Sequence, residues 1–341
     1  MKLFGLSRIL AGTALTTLVG ISGAVAAELN LYTTREPGLI QPLLDSFTKS
    51  TGIKVNTIFL KDGLAERVAF EGDKSPADVL MTVDAGNLID LVEKGLTQGV
   101  QSNVLTSNIP PALRDPNGHW FALSQRARAV VAAKDLDLQA ITYEQLADPA
   151  WKGKICIRSG QHPYNVALTG SYIAHHGEEA AQEWLTGLKG NLARKAGGGD
   201  REVARDILGG LCDIGVANSY YVGLMRSGKG GPEQQKWAQA IKMILPTFEK
   251  GGTQVNITGA AVARHARNKA EAIKLLEHLV SDEAQKIYAE ANYEYPVNPQ
   301  AAVDPLIGEY GVLKPDTVEL AKGVGFRKAA SKLAEKVGFD N

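Results

Sequence analysis

Two adjacent tyrosines, Tyr220 and Tyr221 in the segment CDIGVANSYYVG, stand where a strand-like run gives out. With ten tyrosines in 341 residues, the pair carries little weight by count. Its position carries more. Adjacent side chains on a strand point to opposite faces, so both phenols could reach one ligand only past the strand, in a turn or first helical turn. Asn218 and Ser219 supply that break. Tyr164, in IRSGQHPYNVALTG, stands just past another strand-like run, at a helix start. Phenolate is a hard, anionic oxygen donor whose parent phenol titrates near ~10. Three of them suit a hard trivalent cation, acidic enough to displace their protons at neutral pH. The same side chains would also serve as amphipathic walls of a polar cleft, and chemistry alone leaves both readings open.

Other chemistry is thinner. The six His and two Cys form no HExxH, no CxxC and no His pair at metal spacing. His175-His176 reads as a solvated helix C-terminus, where cations are favoured. No GxSxG, P-loop or GxGxxG occurs in the context its chemistry needs. No nucleophile–base–acid set is visible, so an enzyme is disfavoured. Gly197-Gly198-Gly199 reads as a loop leading to a helix cap at Asp200.

The elements that must position the tyrosines follow an α/β rhythm. Strand-like runs at 28–32, 53–60, 77–83, 154–158 and 212–218 alternate with helical patterns at 39–50, 63–70, 85–94, 165–176, 178–188 and 201–208. This alternation predicts α/β lobes with mostly parallel sheets. At this length one core normally gives way to two. Residues 125–133 (QRARAVVAA) and 254–264 (QVNITGAAVAR) are apolar and extended, and read as crossovers between two lobes. Open α/β sheets bind ligands beyond the carboxyl ends of their strands, so the ligand site is expected in the cleft. The crossovers place residues 28–126 and 255–300 in lobe one, and 127–254 and 301–341 in lobe two.

Residues 1–27 carry Lys2 and Arg8, an apolar run of small residues, and a Gly-Ala-Val-Ala-Ala end. This is the pattern of a secretory signal peptide, with cleavage expected after Ala26 or Ala27. No later run approaches the ~18 apolar residues that span a bilayer. The full chain balances 37 basic against 37 acidic side chains, so it has no electrostatic footprint for nucleic acid. Export to an oxidising compartment would allow Cys156 and Cys212 to pair; two buried free thiols are the alternative.

LYTTRE, KSPADVLMTVDAGNL, RARAVV, VANSYYVGLM, QVNITGAAV and YEYPVNP resemble the matching segments of the periplasmic ferric-ion-binding proteins of bacterial ABC transporters. The similarity runs over essentially the whole mature chain. It implies a type II periplasmic-binding-protein fold, two α/β lobes joined by extended hinge strands, with Fe(III) in the cleft. It also implies a periplasmic monomer that delivers ferric ion to an inner-membrane ABC permease. The alternative is the same fold carrying a different oxyanion or small organic ligand. Matched residue by residue, Tyr220 and Tyr221 correspond to the family's paired tyrosine ligands, and Tyr164 to the third tyrosine of its tyrosine-rich branch. Asn218 corresponds to an Asn that contacts a bound anion in some members.

The chain departs from the family at three places. Many relatives place His-Tyr after the first strand, where this chain has Glu36-Pro37. Another branch uses a Glu near the position of Val83-Asp84, and an Asn of some relatives is Gly199 here, which weakens a phosphate-type site. Three phenolates neutralise Fe(III) but fill only half of an octahedral sphere. Carbonate or bicarbonate, or water, is expected to fill the rest. A planar Arg fork is the natural partner of such an anion. Arg126 at the crossover and Arg35 in the first strand-end loop are the candidates, with ordinary salt bridges as the alternative role.

Overall fold

The computed structural model describes Met1 and residues 27–341, so the expected leader lies, but for its ends, outside the described residues. Three strands open the fold: β1 (Glu28–Thr33), β2 (Lys54–Phe59) and β3 (Val79–Thr82). They are parallel, with β1 central. The helix Pro37–Thr51 joins β1 to β2. It buries Ile40, Leu43, Leu44 and Phe47, the stripe of a 3.6-residue period. Gly52 ends it at φ 73, a left-handed turn in which its N–H reaches the Thr48 carbonyl. Leu39 lies about 100° around the helix from Ile40, so it is only half-buried and lines a cavity between the halves.

The remaining strands are β4 (Thr97–Gln98), β5 (Phe121–Ala133), β6 (Ile155–Cys156), β7 (Ile214–Asn218), β8 (Ile241–Ile244), β9 (Val255–Ala263) and β10 (Tyr295–Pro296). The 13-residue β5 serves both halves of the molecule. Its first part pairs with β9, which itself pairs with β3; its second part pairs with β7 and β8. All these ladders are antiparallel. Among the described residues, the expectation of mostly parallel sheets is thus met only at β1–β2, β1–β3 and β6–β7. Parallel pairing needs a crossover long enough to return the chain, whereas β5 and β9 enter from the opposite half. The two extended segments read as crossovers between the lobes, though far apart in sequence, are hydrogen-bonded neighbours.

Side-chain alternation on β5 divides the core. Val130 and Ala132 pack under the helices Pro163–His176, Glu178–Gly190 and Arg327–Lys336. Ala129 and Val131 face the helices Asp200–Leu208 and Ser219–Arg226. A separate apolar cluster covers β1, β3 and β9. The short helix Leu320–Gly325 packs against both Ala85–Glu93 and Pro163–His176, so the tail touches both halves. Cys156 and Cys212 are joined by a disulfide spanning 56 residues. Cys212 precedes β7 rather than lying in it, and the run expected at 154–158 is strand only at Ile155–Cys156.

Candidate metal centre

Both tyrosine sites are helix starts. His162 precedes Pro163–His176, and its Nδ1 accepts the Tyr164 N–H at 3.2 Å. Pro163, whose missing N–H would have no partner in a first turn, occupies the first helical position. β7 ends at Asn218, and the helix Ser219–Arg226 begins at once, carrying Tyr220 and Tyr221 in its first turn. Ser219 Oγ accepts the Ala127 N–H at 3.1 Å, which fastens this helix start to β5. The Tyr164 and Tyr220 hydroxyls lie 3.3 Å apart, and the Tyr220 and Tyr221 ring centroids 4.2 Å apart. All three phenols line one cavity of about 420 Å³, together with Arg35, Glu36, Leu39, Val83, Arg126, Arg201 and Glu294.

Burial pushes the Tyr220 phenol well above its ordinary range, and the neighbouring Tyr164 and Tyr221 push it further. Tyr221 is raised by burial and by Tyr164, with the Arg158 charge among the opposing influences. These two phenols therefore hold their protons at neutral pH unless a strong Lewis acid displaces them. His162 is pushed down to about 4 by burial and then by Arg158, so it is a neutral acceptor at pH 7.

The two arginines differ. Arg35 donates to Glu294 Oε1 at 2.8 Å, to Thr258 Oγ1 at 3.1 Å and to Tyr288 Oη. Burial opposes its charge, but Glu294 and Tyr288 outweigh that and hold it above the usual guanidinium value. Burial raises the Glu294 carboxyl, but Arg35, Arg126 and Ser124 bring it below its usual range. Arg35 is thus committed to a carboxylate. Arg126 donates to the Val83 carbonyl, and among the described residues no carboxylate lies within salt-bridge distance of it. Arg201, not singled out from the sequence, is a further cation on the wall, its guanidinium carbon 5.7 Å from the Tyr221 ring centroid.

Other expected residues take different places. Asn218 is buried beneath the cavity and accepts from Arg128 Nη1 at 3.1 Å. Asp200 does not cap a helix starting at Arg201: the helix begins at Asp200, and the Gly199 N–H is bound by Glu202. The Asp200 carboxylate is taken by Arg128, Arg158 and the Asn218 N–H. Asp84 caps the helix Ala85–Glu93 and binds Asn256 Nδ2 at 2.8 Å. Of the two histidines in the last turn of Pro163–His176, His175 is largely buried 2.7 Å from Asp316, whereas His176 is exposed to solvent as expected and lies 2.7 Å from Glu144. Among the described residues no group of three or more His, Cys, Asp or Glu is placed to hold a metal ion.

Comparison with known proteins identifies the family. Residues 74–313 match the family described as bacterial extracellular solute-binding protein. The chain is 39% identical to iron uptake protein A2 of Synechocystis sp., with 96% of each chain covered. Its fold superposes on that of a Bordetella ferric binding protein with a TM-score of 0.90, at 62% identity, covering 92% of this chain and all of that one. A Trichodesmium protein solved in complex with iron and citrate ligands gives a TM-score of 0.87 at 42% identity, over 92% of this chain and all of its own. The α/β halves, the long strands shared between them and the cavity in which they meet are accordingly those of a type II solute-binding fold. This chain belongs to the bacterial extracellular solute-binding protein family, whose members bind and hand on a solute and are not enzymes.

Proposed function

We infer that the chain is the periplasmic component of an iron ABC transporter, capturing Fe(III) through the phenolates of Tyr164, Tyr220 and Tyr221. The observation that carries this reading is the convergence of three phenols, from two helix starts far apart in sequence, on one cavity. Three phenolates neutralise the ion, and hard oxygen donors suit it. Relatives named for iron uptake and ferric binding support the same cargo. The two halves would divide in β5 and β9, near residues 126–127 and 254–255. The tyrosines would then lie on the half containing β7, so iron loads there and closure follows. The loaded protein delivers its ion to an inner-membrane permease, after a signal peptide has been removed behind Ala26 or Ala27.

A small anion would complete the coordination sphere. Arg126 would hold it, since Arg35 is matched by Glu294. Carbonate or bicarbonate fits a planar guanidinium fork. The Trichodesmium complex, with citrate beside iron, supports an oxygen-rich anion as co-ligand. The test is to load the mature chain with Fe(III) in buffer stripped of carbon dioxide, with and without added bicarbonate, and count the iron retained through desalting. One ion per chain, held more tightly with bicarbonate and losing that response in Arg126→Ala, is expected. Failure to retain iron under either condition would contradict the reading. Equal retention in both would show that protein or water completes the sphere.

A further inference from the structure

We propose that Arg128 is the positioning residue of the tyrosine site, a reading that rests on the three phenols being the ferric ligands. Arg128 lies in β5 directly opposite Asn218 in the ladder with β7, and it is 1% exposed. Its guanidinium spreads over the elements that carry the phenols. Nη2 donates at 2.7 Å to Oδ1 of Asn165, the residue after Tyr164. Nη1 donates at 3.1 Å to Oδ1 of Asn218, two residues before Tyr220, and at 2.6 Å to Asp200 Oδ2. The same Asp200 oxygen accepts the Asn218 N–H at 2.8 Å. Asn165 Nδ2 in turn holds the Arg158 and Ser159 carbonyls, each at 3.0 Å. One rigid fork therefore fixes both helix starts against the same strand.

A buried ion pair is weak evidence of a stabilising role, because apolar residues of similar volume often serve as well. What an apolar residue would not supply is a planar set of donors aimed at three acceptors, and a lysine ammonium would not supply it either. Groups that orient metal ligands without touching the metal commonly tune affinity strongly. Charge adds to geometry here. The Arg158 and Arg128 guanidinium carbons lie 5.0 and 5.8 Å from the Tyr164 ring centroid, a cationic backing for the phenolate that metal binding creates. Because β5 also pairs with β9, the fork joins the ligand set to the strands shared by both halves.

The test compares Arg128→Lys, which keeps the charge and loses the fork, with Asn165→Ala, which removes one acceptor and leaves the Arg128–Asp200 pair. In the full mature protein, both are expected to keep the wild-type circular dichroism and to bind Fe(III) about tenfold or more weakly. The phenolate-to-iron absorption band should shift in wavelength, a change that a lower folding stability alone would not produce. The double variant should lose less than the sum of the two single losses, since both remove the same Arg128–Asn165 bond. If Arg128→Lys fails to fold, Asn165→Ala and Asn218→Ala read the same effect separately. Folded variants with unchanged band and affinity, or losses that simply add, would overturn the proposal. A wild-type chain that binds iron with no phenolate band would refute the ligand set instead, so the two failures are distinguishable.

Discussion

A buried phenol is a poor ligand until it loses its proton, and that fact sets the pH behaviour of the site. Burial raises both Tyr220 and Tyr221, so iron must displace their protons. Below neutrality each proton released makes apparent affinity fall about tenfold per pH unit, or about a thousandfold for three phenols. A plot of log affinity against pH should approach a slope of three between pH 5 and 7; a slope near zero would mean that the phenols do not ionise on binding. The iron-free protein has the complementary dependence. Folded-state values above the unfolded ~10 contribute stability that is complete below pH ~10 and lost as pH rises beyond it. Its melting temperature should therefore fall from pH 9 to 11, and fall less in Tyr220→Phe. At this scale the tyrosines were legible because a strand that gives way to a helix at Asn218-Ser219 dictates where adjacent side chains can meet. The role of Arg128 was not, although it stands beside Arg126 in RARAVV, because its partners Asn165, Asp200 and Asn218 meet only in the folded chain.

The helix Ser219–Arg226 carries two of the three proposed ligands, and its seat is narrow. A Cβ built on Gly223 would lie 2.6 Å from the Tyr293 Cβ and 2.7 Å from its Cγ. Tyr293 ends the helix Asp282–Asn292 at φ 56, a left-handed conformation rarely tolerated by a bulky side chain, and lines the same cavity. Gly223→Ala must displace either the helix or this tyrosine, destabilising the protein by about 1–3 kcal/mol and weakening iron binding. Gly190→Ala, with open space around its Cβ, should leave iron binding at the wild-type level. Equal iron affinity in the two variants would show that the helix is not held by this contact. Helix existence was readable from apolar periodicity, and Gly52 follows the first helix where a left-handed stop is required. The ends of short strands were not readable. β6 and β7 are delimited by pairing with each other and with β5, which local composition does not encode.

For the whole molecule, alternating strand and helix signals were enough to indicate two α/β halves, and two apolar extended runs marked the strands between them. Strand direction was not available from that pattern, because β5 and β9 take their antiparallel sense from distant partners. Nor was the path of the tail, where Arg327 reaches Asp90 at 2.7 Å across to the helix Ala85–Glu93. That pair is about one-third exposed on both sides, and such contacts contribute little to stability. The three phenols line a single cavity, and the proposed capture of iron rests on them. The direct measurement is the visible absorption spectrum of the mature chain loaded with one equivalent of Fe(III), beside Tyr164→Phe, Tyr220→Phe and Tyr221→Phe. A phenolate-to-iron charge-transfer band that each substitution shifts or bleaches, with weaker iron binding, is the predicted result. A colourless iron-loaded protein, or three variants that keep the wild-type band and affinity, would contradict it.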